Sequence, residues 1–86
     1  MTYLRVSRAI RDRTEDRQLE PLGQAIRAMR KEREISQEGL ADAAGIERAH
    51  YGKIERGKVN VSFLNLLKIA KALNTDLSEI IKRARY

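Results

Sequence analysis

At 86 residues the chain has room for one small hydrophobic core and not for two. With 42% apolar and 35% charged residues it reads as a charged globular domain, and the absence of cysteine excludes disulfides, thiolate metal sites and cysteine nucleophiles together. Lys and Arg number 18 against 12 Asp and Glu, and the net charge of +6 points to a polyanionic partner or to solubility alone.

Residues 1–20 set themselves apart as an N-terminal extension. Five arginines (Arg5, Arg8, Arg11, Arg13, Arg17) stand among four acids, and the apolar residues are sparse. Tyr3, Val6 and Ile10 have the spacing of a short helix, whereas 11–17 reads as a solvated linker. Residues 21–86 carry 13 basic and 8 acidic side chains and form the domain proper.

Pro21 suits the first position of a helix, where its missing N–H has no partner to lose. Leu22, Ile26 and Met29 continue at helical spacing to about Arg33. Ser36 is an N-cap for a second helix with Leu40, Ala41 and Ala44 on one face, and Gly45 is its left-handed stop. A third helix spans about 47–56 and ends at Gly57. Ser62 caps a fourth, in which Phe63, Leu66, Leu67, Ile69, Ala70 and Leu73 make a broad apolar stripe. Asn74 supplies another left-handed stop, and Asp76 with Glu79 has the pattern of a capping box before a fifth helix. The fold class is therefore all-α with five helices; one Pro, five Gly and no strand-like alternation argue against β structure.

The segment 36–57 carries the functional argument. Two short helices joined by a tight glycine turn must cross steeply, which is the helix-turn-helix arrangement. On the second of them Tyr51, Ile54 and Glu55 share one side, with Glu47 near them, and Ala49, Gly52, Lys53 and Arg56 share the other. Small residues let a helix approach base edges, and Lys and Arg reach guanine acceptors or phosphates. An ordinary solvated face would carry the same charges. Glu47 suits a helix cap or the positive end of the helix dipole better than a base contact.

These residues resemble the phage-repressor and Cro-type helix-turn-helix family across residues 22–81. The resemblance rests on Leu22-Gly23-Gln24-Ala25-Ile26-Arg27, Ile35-Ser36-Gln37-Glu38-Gly39-Leu40-Ala41, Gly45-Ile46, Lys53-Ile54-Glu55-Arg56-Gly57 and the run from Leu66 to Leu73. It implies a lambda-repressor-like DNA-binding domain. It implies base-reading roles for Arg48, Ala49, Gly52 and Lys53, and phosphate contacts from Ser36, Gln37, Arg56, Gly57, Lys58 and Asn60. Arg30 and Glu55 match a pair that is a buried ion pair in some members. Gly52 where Ser is common, Val61 where Pro is common, and Glu47 where Ser or Asp caps are departures from the pattern. Stand-alone members include Cro-type repressors and controller proteins of restriction–modification systems.

One such domain makes a small DNA contact, so a homodimer on a pseudo-palindromic operator is expected, with an interface from Leu64, Leu67, Leu77, Ile80 and Ile81. The expected function is sequence-specific transcriptional regulation. The alternative is a protein-interaction module such as an antitoxin, whose mark would be apolar surface around Tyr3, Leu4 and Val6. An enzyme is not expected, because no glycine-rich phosphate loop, supported nucleophile or inward carboxylate pair is evident. With one His and no Cys, neither a metal nor a cofactor is expected. No apolar run approaches the roughly 20 residues that span a bilayer, and no secretory signal opens the chain, so a cytoplasmic location is expected.

Overall fold

A computed structural model describes residues 2–86, with side chains from Arg17 onward. Five helices follow in order: α1 (Thr2–Glu32), α2 (Gln37–Ala44), α3 (Arg48–Glu55), α4 (Phe63–Ala72) and α5 (Leu77–Ala84). The helical spacing of Tyr3, Val6 and Ile10 and the apolar surface expected around Tyr3, Leu4 and Val6 concern side chains outside the described ones.

Local chemistry explains most of the boundaries. The Ser36 and Ser62 hydroxyls accept from the backbone N–H of Gly39 and Asn65, as N-caps do. Gly45 takes φ 70° and ends α2, while the Ile46 N–H reaches back to the Ala41 carbonyl at 2.9 Å. Asn74, at φ 57°, makes the same left-handed stop after α4. Arg33 donates to the Met29 carbonyl at 3.0 Å and to the Leu73 carbonyl at 2.7 Å, so one guanidinium serves the ends of α1 and α4.

Three local expectations are corrected. Asp76 occupies the N-cap position of α5 but its side chain accepts no cap hydrogen bond; Glu79 instead lies 3.5 Å from Lys82, one helical turn on. Glu47 likewise precedes α3 without a side-chain cap bond. The first helix does not begin at Pro21 but passes through it. Proline removes one helical donor there. Tertiary contacts hold the helix on both sides of Pro21: Leu22 is buried in the core, and the Tyr86 hydroxyl donates to the Gln18 carbonyl on the preceding turn.

The core gathers Leu22, Ile26 and Met29 of α1 with Leu40, Ala41 and Ala44 of α2. Ile46 of the α2–α3 turn, Tyr51 and Ile54 of α3, Ile69 and Ala70 of α4, Leu73, and Ile80 of α5 complete it. The helices α1 and α5 pack together, as do α2 and α4, and α3 rests on both α1 and α2. Two apolar expectations change as a result. The α4 stripe splits, with Ile69, Ala70 and Leu73 inward, Leu66 half-buried against the core, and Phe63 and Leu67 exposed. Of the five residues expected at a dimer interface, Ile80 is 0% exposed and Leu77 packs half-buried against the core, whereas Leu64, Leu67 and Ile81 remain on the surface. The packing of α5 against α1 and α4 turns Ile80 inward, and the adjacent Ile81, about 100° further round the helix, points away from the core. No helix among the described residues is long and apolar enough to cross a membrane.

Candidate nucleic-acid interface

Helix α3 is amphipathic in the sense its spacing suggests. Tyr51, Ile54 and Glu55 are buried, and Ala49, Lys53 and Arg56 are exposed. The turn from Gly45 to Glu47 joins α2 to α3 with Ile46 buried beneath it, so the two helices are locked as a pair. Exposed Lys58 and Asn60 follow in the loop after α3.

A buried polar network fixes α3 against α1. Arg30 donates through Nε to Glu55 Oε2 at 2.7 Å and through Nη2 to Oε1 at 3.2 Å, and through Nη1 to the Ile35 carbonyl at 2.8 Å. The Tyr51 hydroxyl donates to Glu55 Oε2 at 2.5 Å, and Gln37 Nε2 donates to Oε1 at 3.1 Å. The ion pair implied by the resemblance is thus present, and it is larger than a pair. Burial alone would raise the Glu55 carboxyl, but the hydrogen bonds from Arg30, Tyr51 and Gln37 outweigh it and hold the group below its ordinary value. Burial, and then the bond to Glu55, pushes the Tyr51 phenol well above its ordinary range. Tyr51 is a core residue, as its helical position suggests, with a polar duty in addition.

This network floors an open cleft between α1 and α3 of about 560 Å³, lined by Glu20, Gln24, Arg27, Arg30, Gln37, Glu55 and Arg56. Gln37, at the start of α2, and Arg56, just after α3, therefore share one rim. Gln24 and Arg27, which the family resemblance includes without a role in DNA contact, lie on that rim too. Their signal was available: they sit three residues apart on the polar side of the Leu22–Ile26–Met29 stripe.

The remaining expected residues divide. Ser36 is exposed; its oxygen accepts from Gly39 N–H at 2.9 Å, which leaves its own hydroxyl proton to donate. Lys53 is exposed and unencumbered among the described ion pairs. Arg48, at the first position of α3, is exposed but engaged with Asp42 and Glu38 of α2. Gly52 is not on the open surface: a Cβ there would lie 3.2 Å from Arg56 Nη1 and 3.8 Å from Gln37 Oε1. Its part is to leave space for those two side chains. Gly57 is also buried, at φ 69°, and its N–H donates to the Ile54 carbonyl at 3.1 Å. A Cβ on it would lie 2.8 Å from Glu20 Cα, so it is a packing position against α1 and its amide is already committed.

Comparison with known proteins agrees with this architecture. A family model described as Helix-turn-helix matches residues 26–80. The chain is 38% identical over 64 residues to the control protein C.SmaI of Serratia marcescens, covering 74% of this chain and 76% of that one. It is 42% identical over 59 residues to the control protein C.MunI of a Mycoplasma species, covering 67% and 80%. Its fold superposes on the restriction-modification controller protein C.AhdI from Aeromonas hydrophila with a TM-score of 0.71 at 42% identity, covering 72% of this chain and 94% of that one.

Proposed function

The chain belongs to the helix-turn-helix family of DNA-binding transcriptional regulators, and from that premise we propose that it acts as a homodimer that lays α3 in the major groove of a pseudo-palindromic operator. The observation that carries this is the division of α3. One face is anchored by the Arg30–Glu55–Tyr51 network, and the other offers Ala49, Lys53 and Arg56 to solvent. A rigidly held helix with a small, cationic outer face suits base readout.

In this reading Arg48, Ala49 and Lys53 meet base edges. Ser36, Gln37, Arg56, Lys58 and Asn60 grip the phosphate strand, with Gln24 and Arg27 on the same rim. Such contacts position the protein, and base contacts specify the site. Residues 21–86 form the DNA-binding unit. Residues 1–20 are an extension to it.

Dimerisation rests on the apolar residues that the core leaves out. Phe63, Leu64 and Leu67 are 66%, 60% and 42% exposed, and their spacing puts them on one side of α4; Ile81 lies on α5, which packs against α4. A two-fold dimer through this surface sets two copies of α3 on half-sites about 34–36 Å apart.

The reading is tested by selection from a pool of randomised duplex DNA, followed by sedimentation of the protein with the selected duplex. A two-fold-symmetric consensus bound by two copies of the chain is expected. Binding with no sequence preference, or by a single copy, would overturn it.

A further inference from the structure

Arg48 is held before any DNA arrives. Its Nε donates to Asp42 Oδ1 at 3.2 Å and its Nη2 to Asp42 Oδ2 at 2.9 Å, a side-on bidentate clasp from the last turn of α2. Glu38 Oε1 lies 3.3 Å from Nη1 without a hydrogen bond to it. A guanidinium has five N–H groups, and the clasp uses one on Nε and one on Nη2. The end-on edge, formed by Nη1 and Nη2, keeps both of its donors. That edge is a fork of the kind that fits the O6 and N7 acceptors of guanine.

Each charge stands at the unfavourable end of its own helix. Asp42 is in the last turn of α2, where the dipole is negative; Arg48 opens α3, where it is positive. An acid on the surface proposed to meet DNA also faces phosphate repulsion. Only across the turn, where the two helices bring them together, does each charge find a favourable partner. The bond to Arg48 accordingly holds the Asp42 carboxyl below its ordinary value.

We propose that Asp42 is a positioning residue for sequence readout: it clasps the Nε side of Arg48 so that the free end-on edge is presented to a base rather than to the phosphates. This rests on the base-reading role proposed for Arg48. A free arginine on a flexible stem seeks the nearest phosphate, which strengthens binding to every sequence. A clasped one is confined to the groove. Asp42 therefore lowers affinity for DNA in general and raises discrimination at one base pair.

The test is selection from the same randomised duplex pool with the wild type and with Arg48→Ala, Asp42→Asn, Asp42→Glu and Glu38→Gln. The base pair whose preference vanishes in Arg48→Ala marks the reader's position. There, Asp42→Asn is expected to reduce the preference about fivefold, in keeping with an exposed ion pair, while affinity for random duplex rises. Asp42→Glu should restore part of the preference. Glu38→Gln should raise random-duplex affinity and leave the preference intact, since Glu38 makes no hydrogen bond to Arg48. A preference in Asp42→Asn equal to or sharper than the wild type's would overturn the proposal and reduce Asp42 to a repelling charge. If Arg48→Ala changes no position, the base-reading assignment itself fails and the proposal falls with it, a result distinct from the first.

Discussion

Gly23 of α1 and Glu55 of α3 approach so closely that a Cβ on Gly23 would lie 2.3 Å from the Glu55 carbonyl oxygen. The Ile54 carbonyl oxygen would be 2.5 Å away, so both obstacles are backbone and neither can rotate aside. The same contact brings Arg30, two turns along α1, within reach of the Glu55 carboxylate. Replacing Gly23 by Ala should force α3 away from α1 and destabilise the fold by about 3 kcal/mol, at the upper end for overpacking. Urea unfolding measures this. An unchanged midpoint would mean that the two helices separate freely.

Removing the carboxylate of Glu55 leaves Arg30 as a buried charge with only the Ile35 carbonyl for company. Glu55→Ala should lose about 3–5 kcal/mol of stability, as expected for breaking a buried ion pair from one side. A loss below about 1 kcal/mol would show that water takes over the arginine.

The same network sets a pH dependence. Glu55 has a folded-state carboxyl held below its ordinary value of 4.5, so between the two values the unfolded chain binds more protons. Its stabilising effect is full above the ordinary value and fades as pH falls through the folded one. Thermal midpoints should therefore drop on acidification below about pH 4.5. A Glu55→Gln variant should start lower and show a shallower acid slope. Parallel curves would remove Glu55 from the acid response.

For readout, Arg48→Ala and Lys53→Ala should each reduce the preference for selected over random duplex about tenfold, the scale of one good base contact. Competition binding at fixed salt gives the ratio. If both variants keep the wild-type ratio, bases are read elsewhere.

For the phosphate grip, Lys58→Ala and Gln37→Ala should weaken selected and random duplexes alike. Lys58→Ala should also flatten the dependence of log affinity on log salt by about 0.9. Gln37→Ala removes its hydrogen bond to Glu55 as well, so its folding midpoint must be measured beside its affinity. A loss confined to the selected sequence would contradict the phosphate role for either residue.

At the proposed dimer surface, Leu64→Asp should give monomers by sedimentation with the folding of each chain retained, because Leu64 is 60% exposed. Ile80→Asp should instead unfold the domain, because Ile80 is fully enclosed. A folded monomer from Ile80→Asp together with an intact dimer from Leu64→Asp would reverse the two assignments.

Much of this molecule is legible in its sequence, because the signals are local. Ser36, Gly45, Ser62 and Asn74 end or begin helices through contacts within a few residues, and helical spacing alone sorts Tyr51, Ile54 and Glu55 from Ala49, Lys53 and Arg56. Asp76 and Glu47 show the limit even of local patterns: each stands at a capping position, yet its carboxylate makes no cap bond. The tertiary structure decided whatever depends on how a second segment is placed against the first. Ile80 and Ile81 look alike in the sequence, and only the packing of α5 tells core from surface. Gly52 and Gly57 read as open backbone until Arg56, Gln37 and Glu20 are seen to cover them. Arg48 reads as a free cation until the α2–α3 turn sets Asp42 against it. Spacing along one helix determines which side a residue faces, but only the arrival of a second segment determines what it meets there.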